Sequence, residues 1–482
     1  MKRLWFCLLL FSCSLLVTAR DFIITEFGAK ADTTVLSTEA LQHCIDLCSE
    51  QGGGRVVVPA GSYKIGTIVL KSNVNLHMET GATLYGSTDL RDYRRMKSSY
   101  VSLRTHTPTI QLIYADSVEN VIIDGYGTID GRGRGFKKLS WNDEGITRPH
   151  LLRFIQSRDI VVKDITLRNS GCWMQHYLAC DRVRIDGIKV TNRNNYNNDA
   201  LDLDGCHDVI VRGVIADSDD DGITLKSTSP RLCEDITIEN CIVSSHCNAV
   251  KLGTETNGGF RNILIRGIVV KPSADQKEKF FGQWIGSSAL SLEIVDGGLM
   301  ENVSVDGMNI VGTESPIFVR LAHRGRGYTF NHSGADAFVG QSVQGGNEGG
   351  TAATKPDSVT TRGRMRGIYI NNVRAKDCGN YGSSITGLPD QLIEDVHVSN
   401  VCIYQRGGIT RADLKNIDAA LRDEKAAEYP EATMWGQLPA KGFYVRHVRS
   451  IHFDNIEIHS EADDARQDIV KEIATSYFVD GD

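Results

Sequence analysis

The sequence lacks the patterns that mark several common classes of protein. No long run of Lys and Arg is interleaved with aromatic residues, so nucleic acid is not expected as a partner. Neither a Cys-x-x-Cys pair nor Cys and His at zinc-finger spacing occurs, so no metal module of that type is expected. Helical periodicity is nearly absent, and its clearest instance covers residues 38–51.

The first nineteen residues are organised like a secretory signal. Lys2 and Arg3 precede an apolar run over residues 4–17, and Thr18-Ala19 supplies small residues for cleavage. A membrane anchor is one alternative, but about fourteen residues is short for spanning a bilayer. Lipid attachment at Cys13 is another, although residues 10–12 match such a site poorly. We expect removal of residues 1–19, which leaves 51 basic and 60 acidic side chains, a net charge of −9, on a secreted or periplasmic chain.

Ten cysteines remain after the expected cleavage. Export permits disulfides, but a chain of this length does not depend on them. Buried free thiols are an equally open alternative, because cysteine packs as a small hydrophobic residue. The ten are residues 44, 48, 172, 180, 206, 233, 241, 247, 378 and 402.

A short phrase recurs along the chain at a nearly constant interval. It usually begins with Asn or Asp, continues with three β-forming residues, and turns at a polar pair or glycine before a second β run. Four copies, "RVRIDGIKV" (182–190), "DVIVRGVIA" (208–216), "DITIENCIV" (235–243) and "NILIRGIVV" (262–270), follow one another at steps of 26, 27 and 27 residues. A fixed period of 20–50 residues is typical of a solenoid.

Short strands, about three to a coil of about 25 residues, predict an all-β fold, a right-handed parallel β-helix. A β-propeller is the alternative, but its repeats run nearer to 40–45 residues. The helix near Thr38 would cap the open N-terminal end of the solenoid. Residues 20–482 would then form a single catalytic domain, with a long loop at about 325–363 and an excursion at 408–440 that includes a short helix over 411–429.

The most acidic part of the chain, residues 199–227, holds eight aspartates in 29 residues. Aligning residues 198–205, 220–227, 248–254 and 288–294 as successive coils stacks their apolar residues inward. The same register places Asp199 and the pair Asp220 and Asp221 at the turn before the strand in adjacent coils. We therefore expect these three carboxylates to converge. The inward columns are Leu201, Ile223, Val250 and Leu290, and Leu203, Leu225, Leu252 and Leu292; the outward columns are Asp202, Thr224, Lys251 and Ser291, and Asp204, Lys226, Gly253 and Glu293.

Three crowded carboxylates can divide acid and base work. Crowding raises the pKa of one of them, which then donates a proton, while a neighbour stays ionised as a base. Inverting glycoside hydrolysis needs this division, with the carboxyls about 6.5–9.5 Å apart. A calcium site is one alternative, because a hard cation takes several carboxylate oxygens. A solvated rim is the other, and it suffices for Asp204, Asp208, Asp217 and Asp219, because Asp is common at turns.

The same residues carry a resemblance to a known family. "NNDALDLD" (197–204) resembles the Asn-x-Asp strand entry of glycoside hydrolase family 28, the polygalacturonases, and "SDDDGITLKS" (218–227) is similar to its Asp-Asp motif. "FGAKAD" (27–32), "GGGRVVVPAGSY" (52–63) and "GYGTIDGRG" (125–133) are similar as well, so the resemblance covers roughly residues 21–320. It implies a right-handed parallel β-helix that hydrolyses α-linked uronic-acid glycans with inversion and without a metal or other cofactor.

The resemblance also implies a role for each central aspartate. Asp220 takes the position of the general acid that protonates the leaving oxygen. Asp199 and Asp221 take the positions that hold and deprotonate the attacking water. Asp202 matches a further outward aspartate of the strand, which supports the cluster.

Two positions depart from the family's pattern. The family has Gly-His-Gly after the Asp pair, whereas Asn248 stands at the aligned position here and His246 lies two residues earlier. His246 either substitutes in the site or is structural. The family's Arg-x-Lys, which grips a galacturonate carboxylate beside the cleaved bond, aligns with Ser291-Leu292-Glu293. A site built for a carboxylate would disfavour this reversal of charge.

Two interpretations of the reversal remain open. The sugar on that side is neutral, such as rhamnose, or another cation serves the carboxylate. Lys226, Lys251 and Arg320 project from outward positions and are the candidates. Their alternatives are surface lysines and, for Arg320, an arginine that braces a loop.

"GCWMQHYLACDRV" (171–183) resembles the family's Trp-x-x-His strand on the preceding coil. Trp173 would stack on a sugar ring and His176 would line the cleft, with core packing as the alternative for both. The aromatic segment 429–448, bounded by Pro and Gly, would wall one end of the cleft and favour exo action.

We therefore predict an exported, exo-acting glycoside hydrolase of galacturonate-containing oligosaccharides derived from rhamnogalacturonan or pectin. An α-L-rhamnosidase and a calcium-dependent pectate lyase are alternatives on the same scaffold, and a non-catalytic glycan-binding β-helix is an alternative of another class. We expect a monomer without a cofactor or stable membrane insertion, whose partner is a pectic oligo- or polysaccharide.

Overall fold

The computed structural model describes residues 20–140, 143–274, 285–328, 361–420 and 423–472. The expected signal at 1–19 and most of the loop expected at 325–363 lie outside the described residues. Strands in the described ranges form a 20-stranded and a 13-stranded sheet in which neighbours pair in parallel, apart from one short antiparallel strand at Arg95–Met96. The predicted right-handed parallel β-helix is confirmed.

The longest strands lie from β23 onward, although short ones occur there too. The first are Arg20–Ile23 (β1), Gly54–Val58 (β2), Gly61–Ile65 (β3), Ile68–Val69 (β4), Val74–Met78 (β5), Ala82–Gly86 (β6), Arg95–Met96 (β7), Thr109–Asp116 (β8), Glu119–Gly125 (β9) and Thr128–Asp130 (β10). The next are His150–Ile155 (β11), Arg158–Lys163 (β12), Thr166–Arg168 (β13), Gln175–Leu178 (β14), Asp181–Asp186 (β15), Lys189–Asn192 (β16), Leu201–Asp204 (β17), His207–Arg212 (β18), Ile215–Ser218 (β19), Ile223–Ser227 (β20), Cys233–Glu239 (β21) and Ile242–Ser245 (β22). The last are Asn248–Thr256 (β23), Gly259–Val270 (β24), Gly286–Ile294 (β25), Leu299–Val311 (β26), Thr313–Leu321 (β27), Arg364–Cys378 (β28), Ser383–Thr386 (β29), Glu394–Gln405 (β30), Ala440–Arg446 (β31), Ile451–Ser460 (β32) and Gln467–Glu472 (β33).

Each central coil gives one strand to the smaller sheet and two to the larger sheet. In one coil these are β17, then β18 and β19; in the next they are β20, then β21 and β22. Leu201 pairs with Ile223, and Leu203 pairs with Leu225. Ile223 and Leu225 continue onto β23 and β25 in the predicted inward columns, which are fully buried.

The second outward column departs from the prediction. Asp204 pairs with Lys226 as expected. After Leu252 the register shifts, so that Ser227 pairs with Thr256, and Gly253 is not the partner of Lys226. This irregularity in β23 brings Glu255, which the alignment did not consider, to Lys226.

The Asn or Asp that opens the repeated phrase has a structural explanation. Asp208, Asp235, Asn262 and Asn302 all adopt left-handed backbone conformations, with φ between 55° and 56°. Asn and Asp tolerate this conformation better than most L-residues. The side chains also form a ladder between coils, in which Asn262 donates to Asp235 at 2.9 Å and Asn302 donates to Asn262 at 2.8 Å. The Asn or Asp at the start of the phrase therefore marks the position where the backbone of the coil bends.

The two α-helices of the described chain are Thr38–Glu50 (α1) and Arg411–Ala420 (α2). α1 is the predicted cap, and it buries Leu41, Cys44, Ile45 and Cys48 against the first coils. α2 ends well before residue 429, so the helix predicted over 411–429 is too long. Residues 423–439 instead form an irregular segment whose Trp435 and Leu438 pack with Phe318 and Tyr444.

The ten cysteines of the described chain are all unpaired, and nine of them are buried. Cys180 and Cys206 come shortly after β14 and β17, Cys233 begins β21 on the next coil, and all three belong to the main core. Burial raises the pKa of the Cys180 and Cys233 thiols. The alternative of buried free thiols therefore describes the structure. Within the described ranges no helix is long and apolar enough to cross a membrane.

Replacing Asn262 tests the left-handed bend. Asn262→Ala forces alanine into a left-handed backbone conformation at φ 56°, which alanine disfavours, and it removes the ladder hydrogen bonds. We therefore expect this variant to lower the free energy of unfolding by about 1–2 kcal/mol. Asn262→Gly also breaks the ladder but relieves the backbone, so it should lie closer to the wild type. Urea unfolding of both variants measures the difference, and equal stabilities would contradict the explanation.

Candidate active site

Backbone pairing between adjacent coils brings the predicted catalytic aspartates together. Asp199 precedes β17, and Asp220 and Asp221 precede β20. The amide of Ala200 donates to the carbonyl of Asp221 at 3.0 Å, which fixes Asp199 beside Asp221. Asp199 and Asp221 are buried, and Asp220 is half-buried.

Lys226 is the centre of the first charged cluster. Its Nζ lies 3.6 Å from Asp199 Oδ2, 3.4 Å from Asp202 Oδ1 and 4.0 Å from Glu255 Oε2. Arg104 donates to the other oxygen of Glu255 at 2.6 Å. All of these side chains except Arg104 are at least nine-tenths buried, so the cluster supplies its own charge balance with little help from water.

Burial and crowding set the protonation states in this cluster. Burial and the neighbouring Asp199 raise the pKa of Asp202 well above its usual range, which favours its protonated form. Burial raises the pKa of Asp199 to about 6, although Lys226 opposes the shift. Burial alone would lower the pKa of Lys226, but Asp202 and Asp199 raise it, so the ammonium stays charged. Asp199 Oδ1 and both carboxyl oxygens of Asp202 have no well-oriented hydrogen-bond donor among the described residues. A proton held between these two carboxyl groups would supply one.

Asp221 lies in a second network on the next coil. Lys251 Nζ is 3.1 Å from Asp221 Oδ2. The backbone amide and the side-chain amide of Asn248 donate to Asp221 Oδ1 at 3.2 and 2.7 Å. The Ser288 hydroxyl donates to the side-chain oxygen Oδ1 of Asn248 at 2.6 Å. This contact orients the Asn248 side chain so that its NH₂ group faces Asp221. Asn248 thus holds a carboxylate where the family pattern places a His.

Asp220 is fixed through its main chain and through its neighbour. The amide of Asp221 donates to Asp220 Oδ1 at 2.9 Å. Ser218 and Ser245 donate to its carbonyl oxygen at 2.9 and 2.7 Å. This bracing, together with half-burial, suits a carboxyl group that must reach a substrate oxygen repeatedly in one geometry.

The donor set does not fit the calcium alternative. Asp220, Asp221 and Cys247 offer ligand atoms within 4.8 Å of one another, but calcium takes six to eight oxygens and a thiol is a soft ligand. The ammonium groups of Lys226 and Lys251 also lie against Asp199 and Asp221, where they oppose a cation.

The segment 423–439 contributes residues that the sequence reading did not single out. The Tyr429 hydroxyl accepts hydrogen bonds from Lys251 at 3.2 Å and Thr254 at 2.9 Å. Burial raises the pKa of Glu431 to about 7; Lys251 opposes this shift and Glu293 adds to it. Burial also raises the pKa of Glu293, which accepts from Ser291 at 2.6 Å. The one available signal was the aromatic, Pro-containing stretch "YPEATMW", which gave a cleft wall without naming a residue.

All eight predicted binding residues are buried, and three of them have packing or bracing contacts within the protein. Trp173 is 3% exposed, with Arg104 and Lys226 about its ring at 4.8 and 4.7 Å from the centroid. His176 is fully buried, and burial lowers its pKa to about 4. Arg320 donates to the carbonyl oxygens of Gly387 and Glu424 and lies over Trp435. These contacts match the packing and loop-bracing alternatives, and a sugar contact by any of the three stays a prediction.

His246 and Asp204 also have partners that the alignment did not anticipate. His246 is buried with its Nδ1 3.1 Å from Asp219, so it supports the turn that precedes the Asp pair. The assignment of Asp204 to a solvated rim is wrong, because this residue is fully buried. Its carboxylate accepts from the amide and hydroxyl of Thr228 at 2.9 and 2.6 Å and lies 3.2 Å from His176.

Comparison with known proteins gives a consistent family signal. The family model of the glycosyl hydrolases family 28 matches residues 48–273. A probable polygalacturonase from Vitis vinifera is 28% identical over 52% of this chain and 55% of its own length. An exo-poly-alpha-D-galacturonosidase from Dickeya chrysanthemi is 25% identical over 51% of this chain and 50% of its own length. The chain thus spans about half the length of these two relatives.

A solved structure extends the likeness of fold. A hyperthermoactive exopolygalacturonase from Thermotoga maritima aligns with a TM-score of 0.58 and 21% identity, covering 80% of this chain and 87% of its own. At this identity the likeness concerns the β-helix and not the reaction.

Removing the central cation tests the charge balance. Lys226→Met leaves Asp199 and Glu255 without their nearest ammonium group, and we expect a loss of about 3–5 kcal/mol in the free energy of unfolding at pH 7. The loss should shrink at pH 5, where Asp199 is protonated in the variant. Lys189→Met, an exposed matched control, should change stability by less than about 0.5 kcal/mol. Equal losses in both variants would contradict the role of Lys226.

Proposed function

Because residues 48–273 of this chain belong to the glycosyl hydrolases family 28, we propose that it hydrolyses α-glycosidic bonds of galacturonate-containing pectic glycans with inversion. The observation that carries the proposal is the convergence of Asp199, Asp220 and Asp221 on adjacent coils, where Asp199 and Asp221 each lie beside a buried lysine and Asp220 is half-buried and held by two serines. Such a separation of settings is what distinguishes an acid from a base in one site.

The three carboxylates would share the general-acid and general-base roles of the reaction. Asp220, half-buried and braced by two serines, protonates the leaving glycosidic oxygen. Asp199 and Asp221, each beside a lysine, hold the attacking water and take its proton. Asp202, whose pKa burial and Asp199 raise, lies against Asp199 and positions this base.

The contacts of the candidate cations favour a neutral sugar beside the cleaved bond. Lys226, Lys251 and Arg320 are all engaged with carboxylates or carbonyl oxygens of the protein. Glu293 and Glu431 lie near Lys251, where a galacturonate carboxylate would otherwise be expected. Carboxyl groups disfavour a second carboxylate but bind sugar hydroxyls well. We therefore propose rhamnogalacturonan-type oligosaccharides as substrates.

Exo action is part of the proposal. Tyr429 joins the segment 423–439 to Lys251 and Thr254, so the segment stands against one side of the site. A wall at one side would limit binding to chain ends. The similar protein from Dickeya chrysanthemi carries the name of an exo-acting enzyme, which supports this mode.

An α-L-rhamnosidase is the second candidate, and Glu293 and Glu431 favour it because they suit a neutral sugar in the site. A lyase is disfavoured by the ammonium groups in the place of calcium, and it would form unsaturated products that absorb in the ultraviolet. A glycan-binding protein would show no turnover.

The decisive experiment is a product assay with homogalacturonan, rhamnogalacturonan and rhamnose-terminated oligosaccharides. Asp220→Asn should lower kcat/KM by about 100- to 10,000-fold while substrate binding is retained. Asp208→Asn, an exposed aspartate of the same stretch, should behave like the wild type. Release of reducing ends by Asp220→Asn at the wild-type rate would refute the catalytic assignment, and rhamnose as sole product would favour the second candidate.

The pH profile tests the two groups with raised pKa values. We expect kcat/KM to rise with pH through about 6, since Asp199 acts as a base only when ionised. It should fall above about 7, where Glu431 loses the proton it would donate to a sugar hydroxyl. Glu431→Gln keeps a donor that does not titrate, so the fall should move to higher pH while the rise stays.

Glu428→Gln is the matched control, because Glu428 is exposed and lies on the same segment. It should leave both limbs of the profile in place. An unchanged fall above pH 7 in Glu431→Gln would assign that limb to the general acid and contradict the role given to Glu431.

A further inference from the structure

A second group of ionisable side chains lies on the larger sheet and takes no part in the proposed reaction. Cys402 is on β30, and Glu457 and His459 are on β32. Cys402 pairs directly with Glu457, and Tyr404 pairs with His459. Because side chains alternate along a strand, residues two apart share a face. The thiol, the carboxylate and the imidazole therefore emerge on the same side of two hydrogen-bonded strands.

The exposure of Cys402 sets it apart from the other described cysteines. Nine of the ten are buried, and Cys402 is half-buried, with exposed Glu457 and His459 beside it. Packing as a small hydrophobic residue explains the nine buried thiols but not this one.

The distances within the group suit a tetrahedral metal ion. Cys402 Sγ lies 3.7 Å from Glu457 Oε2, and His459 Nε2 lies 3.5 Å from the same oxygen. All three ligand atoms are within 4.8 Å of one another. Zinc bonds of 2.0–2.3 Å at tetrahedral angles separate ligand atoms by about 3.3–3.7 Å. Small side-chain rotations would therefore close the site.

The surroundings hold the imidazole in place. The His459 ring stacks on Tyr404 with centroids 4.5 Å apart and an interplanar angle of 16°. On the other side of the group, Arg374 of β28 pairs with Cys402. This pairing places a guanidinium group beside the three candidate ligands.

We propose that Cys402, Glu457 and His459 form a surface site for a divalent metal ion of the zinc type. Cys402 binds as a thiolate and releases its proton to solvent, Glu457 binds as a carboxylate, and His459 binds through neutral Nε2. Water completes the fourth position. The two anionic ligands balance the charge of the ion, and thiolate with imidazole selects zinc over magnesium or calcium.

The place of the site in the solenoid suggests its effect. β32 belongs to the last coils of the described chain, and its residues Ile451, Phe453 and Ile456 are only half-buried. An end coil has a neighbour on one side only and is the weaker part of a solenoid. A metal ion that joins β30 to β32 would link residues 55 positions apart in sequence and stabilise that end.

Thiol modification of the full-length protein tests the site directly. A disulfide reagent should react with Cys402 first, since the other described thiols are buried. Added Zn²⁺ at about ten times its Kd should slow this reaction about tenfold, because only about one-tenth of the sites stay unbound. Co²⁺ in place of Zn²⁺ should give a thiolate-to-cobalt absorption band.

Two variants make the test specific. His459→Gln removes a ligand and should abolish both the protection by Zn²⁺ and the cobalt band. His452→Gln removes an exposed imidazole of the same strand outside the group and should keep both. Absence of protection in the wild type, or equal protection in His459→Gln, would overturn the proposal, and a melting curve of each variant would show that the fold is retained.

Discussion

The vertical stacking of one coil on the next is the constraint on which the structure depends. Side chains alternate along each strand, so a slip of one residue in the pairing of two coils would expose apolar side chains and bury polar ones. A left-handed bend recurs at the same place in successive coils, at Asp208, Asp235 and Asn262. Since Asp199 and Asp221 precede equivalent strands, the register that buries Leu201 on Ile223 also sets the two carboxylates side by side. The chemistry is a by-product of the packing.

Charge balance is the second constraint, and it limits what the site can do. Buried carboxylates are tolerated only where cations or protons offset them. Lys226 and Lys251 meet this need for Asp199 and Asp221, and the raised pKa of Asp202 favours a proton there. Cations committed in this way are not available for a substrate carboxylate. Under the proposed function, the arrangement that keeps the aspartates together therefore also disfavours an acidic sugar beside them.

Periodicity made the β-helix, its capping helix and the pairing of Asp199 with Asp221 predictable, because these follow from contacts between neighbouring coils. The burial of Asp204 was not predictable in this way, since Thr228 and His176 reach it from a loop and a preceding coil. The role of Glu255 depends on an irregularity after Leu252 that no repeat announces. Glu431 and Tyr429 arrive from about 180 positions further along the chain, and a tertiary contact of that kind leaves no periodic trace.

The stacked thiols of Cys180, Cys206 and Cys233 have a consequence for how the chain comes together. In the finished solenoid all three are fully buried and closed to reagents. A coil that has not yet received its neighbour would leave such a thiol open to oxidation. In an oxidising compartment, the rate at which each coil stacks on the previous one then determines whether these cysteines become buried free thiols or form disulfides. Rapid stacking of the coils would leave these three thiols free, and slow stacking would leave them crosslinked.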